Sequence, residues 1–311
     1  MKLFTAILLA SLFFVSTVSG SVGAAAPSLP LKVADRDWRE LAQRRDQGLQ
    51  ARLEQAIEQQ ALWQSLVAEG KMAVGLVDLS DPKTPRFAGV NGNTMMYAAS
   101  LPKLAILLAG FQGFEDGSLK ETPEIRADMV EMIRRSDNAA ANKVIERLGL
   151  KRIEGVILDS RYRFYDQKNG GGLWLGSDYG QHLEQNPEPL KNLDHAATVN
   201  QVCRFYYLLA YGRLINPKRS GQMLKIMAFP DLDDKFVNAL GNTVPPGRMY
   251  RKSGEWKIWS SDSILVWSGG RRYILVSLVE DAQGERILRE LVPVAEQILR
   301  PNLSTRSIRA H

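Results

Sequence analysis

From Asp37 to Ala68 the apolar positions Leu41, Leu49, Leu53, Ile57, Leu62 and Leu66 recur at roughly helical spacing without an intervening proline, which predicts one long helix. The near-continuous apolar run Met72–Leu79 predicts a strand, and the turn Ser80-Asp81-Pro82-Lys83 leads to Arg86–Val90, which can pair back as a hairpin. Pro102 opens an apolar helix over Lys103–Phe111, because proline fits a first helical turn. Further helices are predicted over 122–149, Thr198–Tyr211 and Ser220–Met227, whereas 164–195 is rich in glycine and proline and reads as loop. Met249–Lys252, Ser263–Trp267 and Tyr273–Val279 read as successive strands, and Glu285–Leu299 as a closing amphipathic helix. Strands at both ends around a helical middle predict an α+β fold, with residues 35–90 and 245–300 as an α/β subdomain, 91–244 as a helical subdomain, and the two as one catalytic unit.

The first residues change this picture only by removing themselves. Lys2, the apolar run Leu3–Val15 and the small residues Ser19, Gly20 and Gly23–Ala26 predict a signal peptide over 1–26, cleaved to release a periplasmic or secreted protein. The run falls short of the roughly 20 residues that span a bilayer, so no lasting membrane insertion is expected. The formal charge of +6 is spread as pairs such as Arg44-Arg45, Arg134-Arg135 and Arg271-Arg272, which argues against nucleic-acid binding. Cys203 is the single cysteine, so no intrachain disulfide is possible, and its helical apolar surroundings predict a buried thiol. The three histidines are His182, His195 and the terminal His311, too few beside one cysteine for an expected zinc site, and no cofactor is expected.

The candidate chemistry lies in three short strings. Ser100-Leu101-Pro102-Lys103 places a lysine three residues after a serine at the start of an apolar helix, so that the amine can reach the hydroxyl and act as its base. Ser80-Asp81-Pro82-Lys83 has the same spacing, but it lies in a turn where a serine hydroxyl more often bonds backbone. Ser136-Asp137-Asn138 offers a second hydroxyl for proton relay and an amide for a substrate carbonyl, or else an ordinary helix cap. Lys252-Ser253-Gly254 ends a strand, where the lysine and serine can hold a carboxylate and the glycine permits close approach to the backbone.

The three strings, in this order and in this setting of helices and strands, resemble the class A β-lactamases and the related penicillin-recognising transpeptidases and carboxypeptidases, over roughly residues 35–300. The resemblance implies an antiparallel sheet flanked by N- and C-terminal helices, with a mainly helical subdomain inserted. It implies Ser100 as nucleophile, Lys103 as base and Ser136 as proton relay. Asn138 would bind substrate, Lys252, Ser253 and Gly254 would receive its carboxylate end, and the N–H groups of Ser100 and Glu255 would form the oxyanion hole. Three departures stand out. Ser253 replaces the usual threonine, Ser136 follows Ser100 by only 36 residues, and the Glu-x-x-x-Asn string of the family is matched only by Glu188-Pro189-Leu190-Lys191-Asn192, later than usual. Glu188 is therefore the candidate for the deacylating base, with Glu184 a poorer one, and the insert Asn169–Gly180 is either a lid or a packed loop. The expected activity is a monomeric serine β-lactamase. The alternatives are an enzyme acting on D-alanyl peptides of the cell wall and a penicillin or muropeptide sensor whose acyl-enzyme persists.

Overall fold

A computed structural model describes residues 28–180 and 185–300 of the chain. The proposed signal segment, Glu184, His182 and His311 lie outside the described residues. The spine is a five-stranded antiparallel sheet in the order β2-β1-β10-β9-β8, built from β1 (Met72–Asp78), β2 (Arg86–Val90), β8 (Met249–Trp256), β9 (Trp259–Ser268) and β10 (Arg271–Glu280). The sheet thus unites the strands read at the two ends of the sequence, and the expected hairpin forms between β1 and β2.

Both faces of the sheet are covered, which is why β1 reads as an unbroken apolar run rather than an alternation. Met72, Val74 and Leu76 face a core shared with α1 (Gln47–Glu58), α2 (Ala61–Ala68), α9 (Lys235–Leu240) and α10 (Gly284–Leu299). Ala73 and Val77 face the opposite core, to which α7 (Val199–Ala210) contributes Val202, Phe205 and Tyr206. Gly75 lies under α7, and a Cβ there would come within 2.6 Å of the Cys203 sulfur. Cys203 is fully buried at this contact, as expected, and burial pushes its thiol pKa up. The remaining helices, α3 (Lys103–Asp116), α4 (Pro123–Arg134), α5 (Asn138–Leu148), α6 (Leu150–Leu158) and α8 (Pro217–Met227), extend this second core into a helical layer.

The structure differs from the expected elements in three places. The long helix over 37–68 is two helices preceded by short 3-10 turns: Glu40 and Gln43 close one capping box, Asp46 caps Leu49 N–H at 2.7 Å to begin α1 anew, and extended backbone at Gln60 parts α1 from α2. The strand carrying Lys252 runs on to Trp256, so Ser253, Gly254 and Glu255 belong to an edge strand rather than to a turn beyond it. The expected loop over 164–195 contains the short strands β4 (Tyr165–Asp166), β5 (Gly171–Gly172), β6 (Trp174–Leu175) and β7 (His195–Ala197). β3 (Met96–Tyr97), β7 and β6 form a small sheet, and β4 pairs with β5. Among the described residues no helix is long and apolar enough to cross a membrane.

Candidate active site

The site is assembled where α3 and α5 begin beside β8, the edge strand of the sheet. Ser100 sits in the turn before α3, and Ala99, just before it, is held at φ 49°. Ser136, just before α5, is likewise held at φ 58°. Left-handed backbone at a non-glycine residue costs roughly 1–2 kcal/mol, and here two such residues stand beside the same polar cluster. Asp137 caps α5 through the Ala140 N–H at 2.6 Å, which leaves the Ser136 hydroxyl free of any capping duty.

Lys103 lies in the first turn of α3 and is completely buried. Its amine donates to Ser100 Oγ at 3.2 Å, to the Ser136 carbonyl at 2.5 Å and to Asn138 Oδ1 at 2.7 Å, and stands 3.5 Å from Ser136 Oγ. Burial drives its pKa down to about 7, against an opposing pull from the Asp137 carboxylate. A buried lysine with that pKa is partly neutral near neutral pH and able to accept a proton.

Lys252 is also buried, on β8, and donates to Ser136 Oγ at 2.8 Å and to the Ser253 carbonyl. Burial, and then the like charges of Lys103 and Arg251, hold its pKa well below the usual lysine value. Ser136 Oγ therefore bridges two lysines, one reaching Ser100 and the other on the edge strand. Behind Lys252, Arg251 pairs with Asp262 through two bonds of 2.8 Å and also with Asp234, which anchors β8 in place.

The backbone of β8 meets the backbone before α3 at Gly254. A Cβ there would lie 2.5 Å from the Ala98 carbonyl oxygen and 2.6 Å from the Ser100 nitrogen. The glycine thus serves a close approach between two segments of the chain itself. Ser253 is buried, its hydroxyl making no hydrogen bond among the described residues. Glu255 is exposed, and its carboxylate pairs with the buried Lys235 at 2.6 Å.

Glu188 makes no hydrogen bond to this cluster in the structure. It is 1% exposed, and its carboxylate oxygens accept from Tyr165 O–H at 2.5 Å, Leu190 N–H at 2.6 Å and Lys191 N–H at 2.7 Å. None of its hydrogen-bond partners is Ser100, Lys103 or Asn138. Asn192 accepts the left-handed conformation, φ 58°, and returns its N–H to the Glu188 carbonyl at 2.8 Å. The Glu-x-x-x-Asn spacing is here the spacing of a closed turn.

A residue that the motifs did not single out takes a place at the cluster instead. The Tyr179 ring, from the glycine-rich insert, lies with its centroid 4.3 Å from the Lys103 amine. It stacks on His195 at 4.5 Å, and His195 meets Tyr97, which meets Trp259. These rings line a cleft of about 610 Å³ that reaches Asn138 and is flanked by Trp256 on β8. Among the described residues no group of three or more His, Cys, Asp or Glu side chains is placed to hold a metal ion.

A family model described as the beta-lactamase enzyme family matches residues 52–131 and 121–298. Solved structures similar to this chain include the class A β-lactamase of the last common ancestor of Gram-negative bacteria, with 19% identity over 79% of this chain and 99% of that one, at a TM-score of 0.60. PBP-A is similar at 19% identity over 82% of this chain and 96% of its own, TM-score 0.57. A β-lactamase from Sphaerobacter thermophilus is similar at 18% identity over 77% of this chain and 98% of its own, also with TM-score 0.57. No curated protein matches the sequence. These likenesses establish the fold, and the family match, which runs through all three strings, shows that this chain belongs to the beta-lactamase enzyme family.

Proposed function

We propose that the chain is a serine hydrolase that opens the amide bond of a β-lactam through an acyl-Ser100 intermediate. The observation that carries this reading is the continuous path Ser100 Oγ–Lys103 Nζ–Ser136 Oγ–Lys252 Nζ, with steps of 3.2, 3.5 and 2.8 Å. In the acylation step the Ser100 hydroxyl attacks the lactam carbonyl carbon and its proton passes to neutral Lys103. The Oγ–C bond forms and the C–N bond breaks. The leaving nitrogen takes a proton from Ser136, whose hydroxyl is resupplied from Lys103. Protonated Lys252 and Ser253 bind the substrate carboxylate, Asn138 binds its amide, and the Ser100 and Glu255 N–H groups receive the oxyanion. Water then hydrolyses the acyl ester.

A second reading is favoured by Glu188, whose carboxylate is already engaged by two N–H groups of its own turn and by the Tyr165 hydroxyl from β4. In that reading Glu188 holds the loop, hydrolysis of the ester is slow, and the natural acyl donor is a D-alanyl peptide or a sensed muropeptide. PBP-A, one of the similar structures, has a mutant described as an acyl-enzyme complex with penicillin G, which makes a long-lived adduct a natural outcome to look for. We further read the chain as an exported monomer, from the apolar segment at residues 3–15, with the site between an α/β subdomain and an inserted helical one. Intact-protein mass spectrometry after mixing with penicillin G tests both readings. A transient adduct on Ser100 supports the lactamase, a stable one the peptidase or sensor, and no adduct overturns the acyl-serine reading.

A further inference from the structure

We propose that Tyr179 is the positioning residue of Lys103: its ring, clamped from α5 and backed by His195, holds the amine against Ser100 and keeps water from that side of it. The proposal deepens the acyl-Ser100 reading and rests on it for its consequence in catalysis. Two sets of contacts place the ring. The Asn142 side chain accepts from Tyr179 N–H at 2.8 Å and donates to the Tyr179 carbonyl at 3.1 Å, so both backbone polar groups of Tyr179 are held by one amide. Asn142 stands one helical turn beyond Asn138, so a single face of α5 positions both the amide that Lys103 bonds and the ring beside Lys103. On its far side the ring lies nearly parallel to His195, at 13°.

The hydroxyl does not explain the placement. Tyr179 Oη is buried and has no hydrogen-bond partner among the described residues. A tyrosine packed for its hydroxyl would find one. The ring face, by contrast, meets the lysine at a distance where a cation is attracted to the π-system. Two opposed effects follow. The ring favours the charged amine through its quadrupole, and it disfavours that form by displacing water. The bulk and the π-face can therefore be separated by substitution.

The other charged and titratable groups around Lys103 are Asp137 at the cap of α5, Lys252 on β8, and His195 with Tyr97 behind the ring. His195→Phe keeps a stacked ring and removes that titration, so it serves as the background for the test. In that background the Lys103 amine is titrated by the ¹³C shift of its Cε, assigned by its loss in Lys103→Arg. Tyr179→Leu keeps bulk without a π-face and should lower the midpoint by roughly half to one pH unit. Tyr179→Ala and Asn142→Ala admit water and should raise it, and Tyr179→Phe should restore the wild-type midpoint. The acid limb of Ser100 acylation by penicillin should move in the same sense in each variant. Superimposed titrations for the leucine, alanine and parent forms overturn the proposal, as does a phenylalanine variant that shifts as far as leucine. The titration needs no acylation, so a protein that fails to acylate refutes the acyl-Ser100 reading separately, while the midpoints still decide the role of Tyr179.

Discussion

Two buried polar arrangements in this molecule behave oppositely. Around Lys103 and Ser136 several hydroxyl and amine groups share a few acceptors, and each proton has more than one place to go. Around Glu188 one carboxylate meets two backbone N–H groups that close its own turn and a tyrosine hydroxyl that ties the turn to β4. Both are buried and both are polar. The difference is that the first is built between three separate elements, α3, α5 and β8, while most of the second is built within one short turn. A cluster at the meeting of elements can accept a substrate between its members. A saturated turn has little to offer one without first giving up a bond, and leaving a buried polar partner unpaired costs about 1–3 kcal/mol.

The contrast is most severely tested at Ser100. Ser100→Ala should abolish the covalent adduct with penicillin while leaving the melting temperature close to wild type, and an adduct on that variant would break the assignment. Lys103→Ala should slow acylation by about 10²- to 10⁴-fold in stopped-flow measurements, since it removes the base. Lys252→Ala should act differently, raising the concentration needed for half-maximal acylation by about ten- to a hundredfold through loss of a charge-assisted bond to the carboxylate. Equal defects in both steps for the two lysines would erase the distinction between base and anchor.

Smaller effects separate the loop from the cluster. Glu188→Gln turns one acceptor oxygen into a donor opposite a donor, so it should destabilise the protein by roughly 1–3 kcal/mol in denaturant unfolding while acylation continues. A Glu188→Gln protein of wild-type stability that traps an acyl-enzyme released by wild type would make Glu188 the deacylating base after all. The smallest effect concerns pH. Acylation uses neutral Lys103, whose pKa is about 7, so the rate should rise about tenfold per pH unit on the acid side and level off above neutrality. Substrate capture uses protonated Lys252, whose pKa is pulled below the usual lysine value, so kcat/KM should fall as pH rises, and at a lower pH than an ordinary lysine would give. A profile flat from pH 5 to 9 would contradict the role of Lys103 as base.

What was legible in the sequence follows the range of the interactions. Ser100 stands three residues before Lys103 at the entrance of an apolar helix, so spacing and helix together point to their contact. The strand–helix–strand order placed Lys103 and Lys252 in the right elements because apolar periodicity is a local signal, although the strand of Lys252 runs on to Trp256. Asn142 and Tyr179 meet across 37 positions without any periodic pattern, and neither belongs to a motif, so nothing short-range could join them. The Glu188–Asn192 spacing carries two meanings that sequence cannot separate, because asparagine tolerates φ > 0 and a closed turn uses the same spacing. The single helix read over 37–68 was broken by Asp46 and Gln43, whose side chains compete for backbone N–H groups. The short strands between 165 and 197 have too few residues for any alternation to show.

The contact between Gly75 and Cys203 makes the protein its own stability gauge. The sole thiol of the chain sits between α7 and the central sheet with no exposed surface, where a reagent can reach it only after that helix lifts away. The speed at which a disulfide reagent labels Cys203 in native buffer therefore reports how often the core opens. Every variant considered above can be ranked on that clock without denaturant, and a bound substrate that tightens the molecule would slow it.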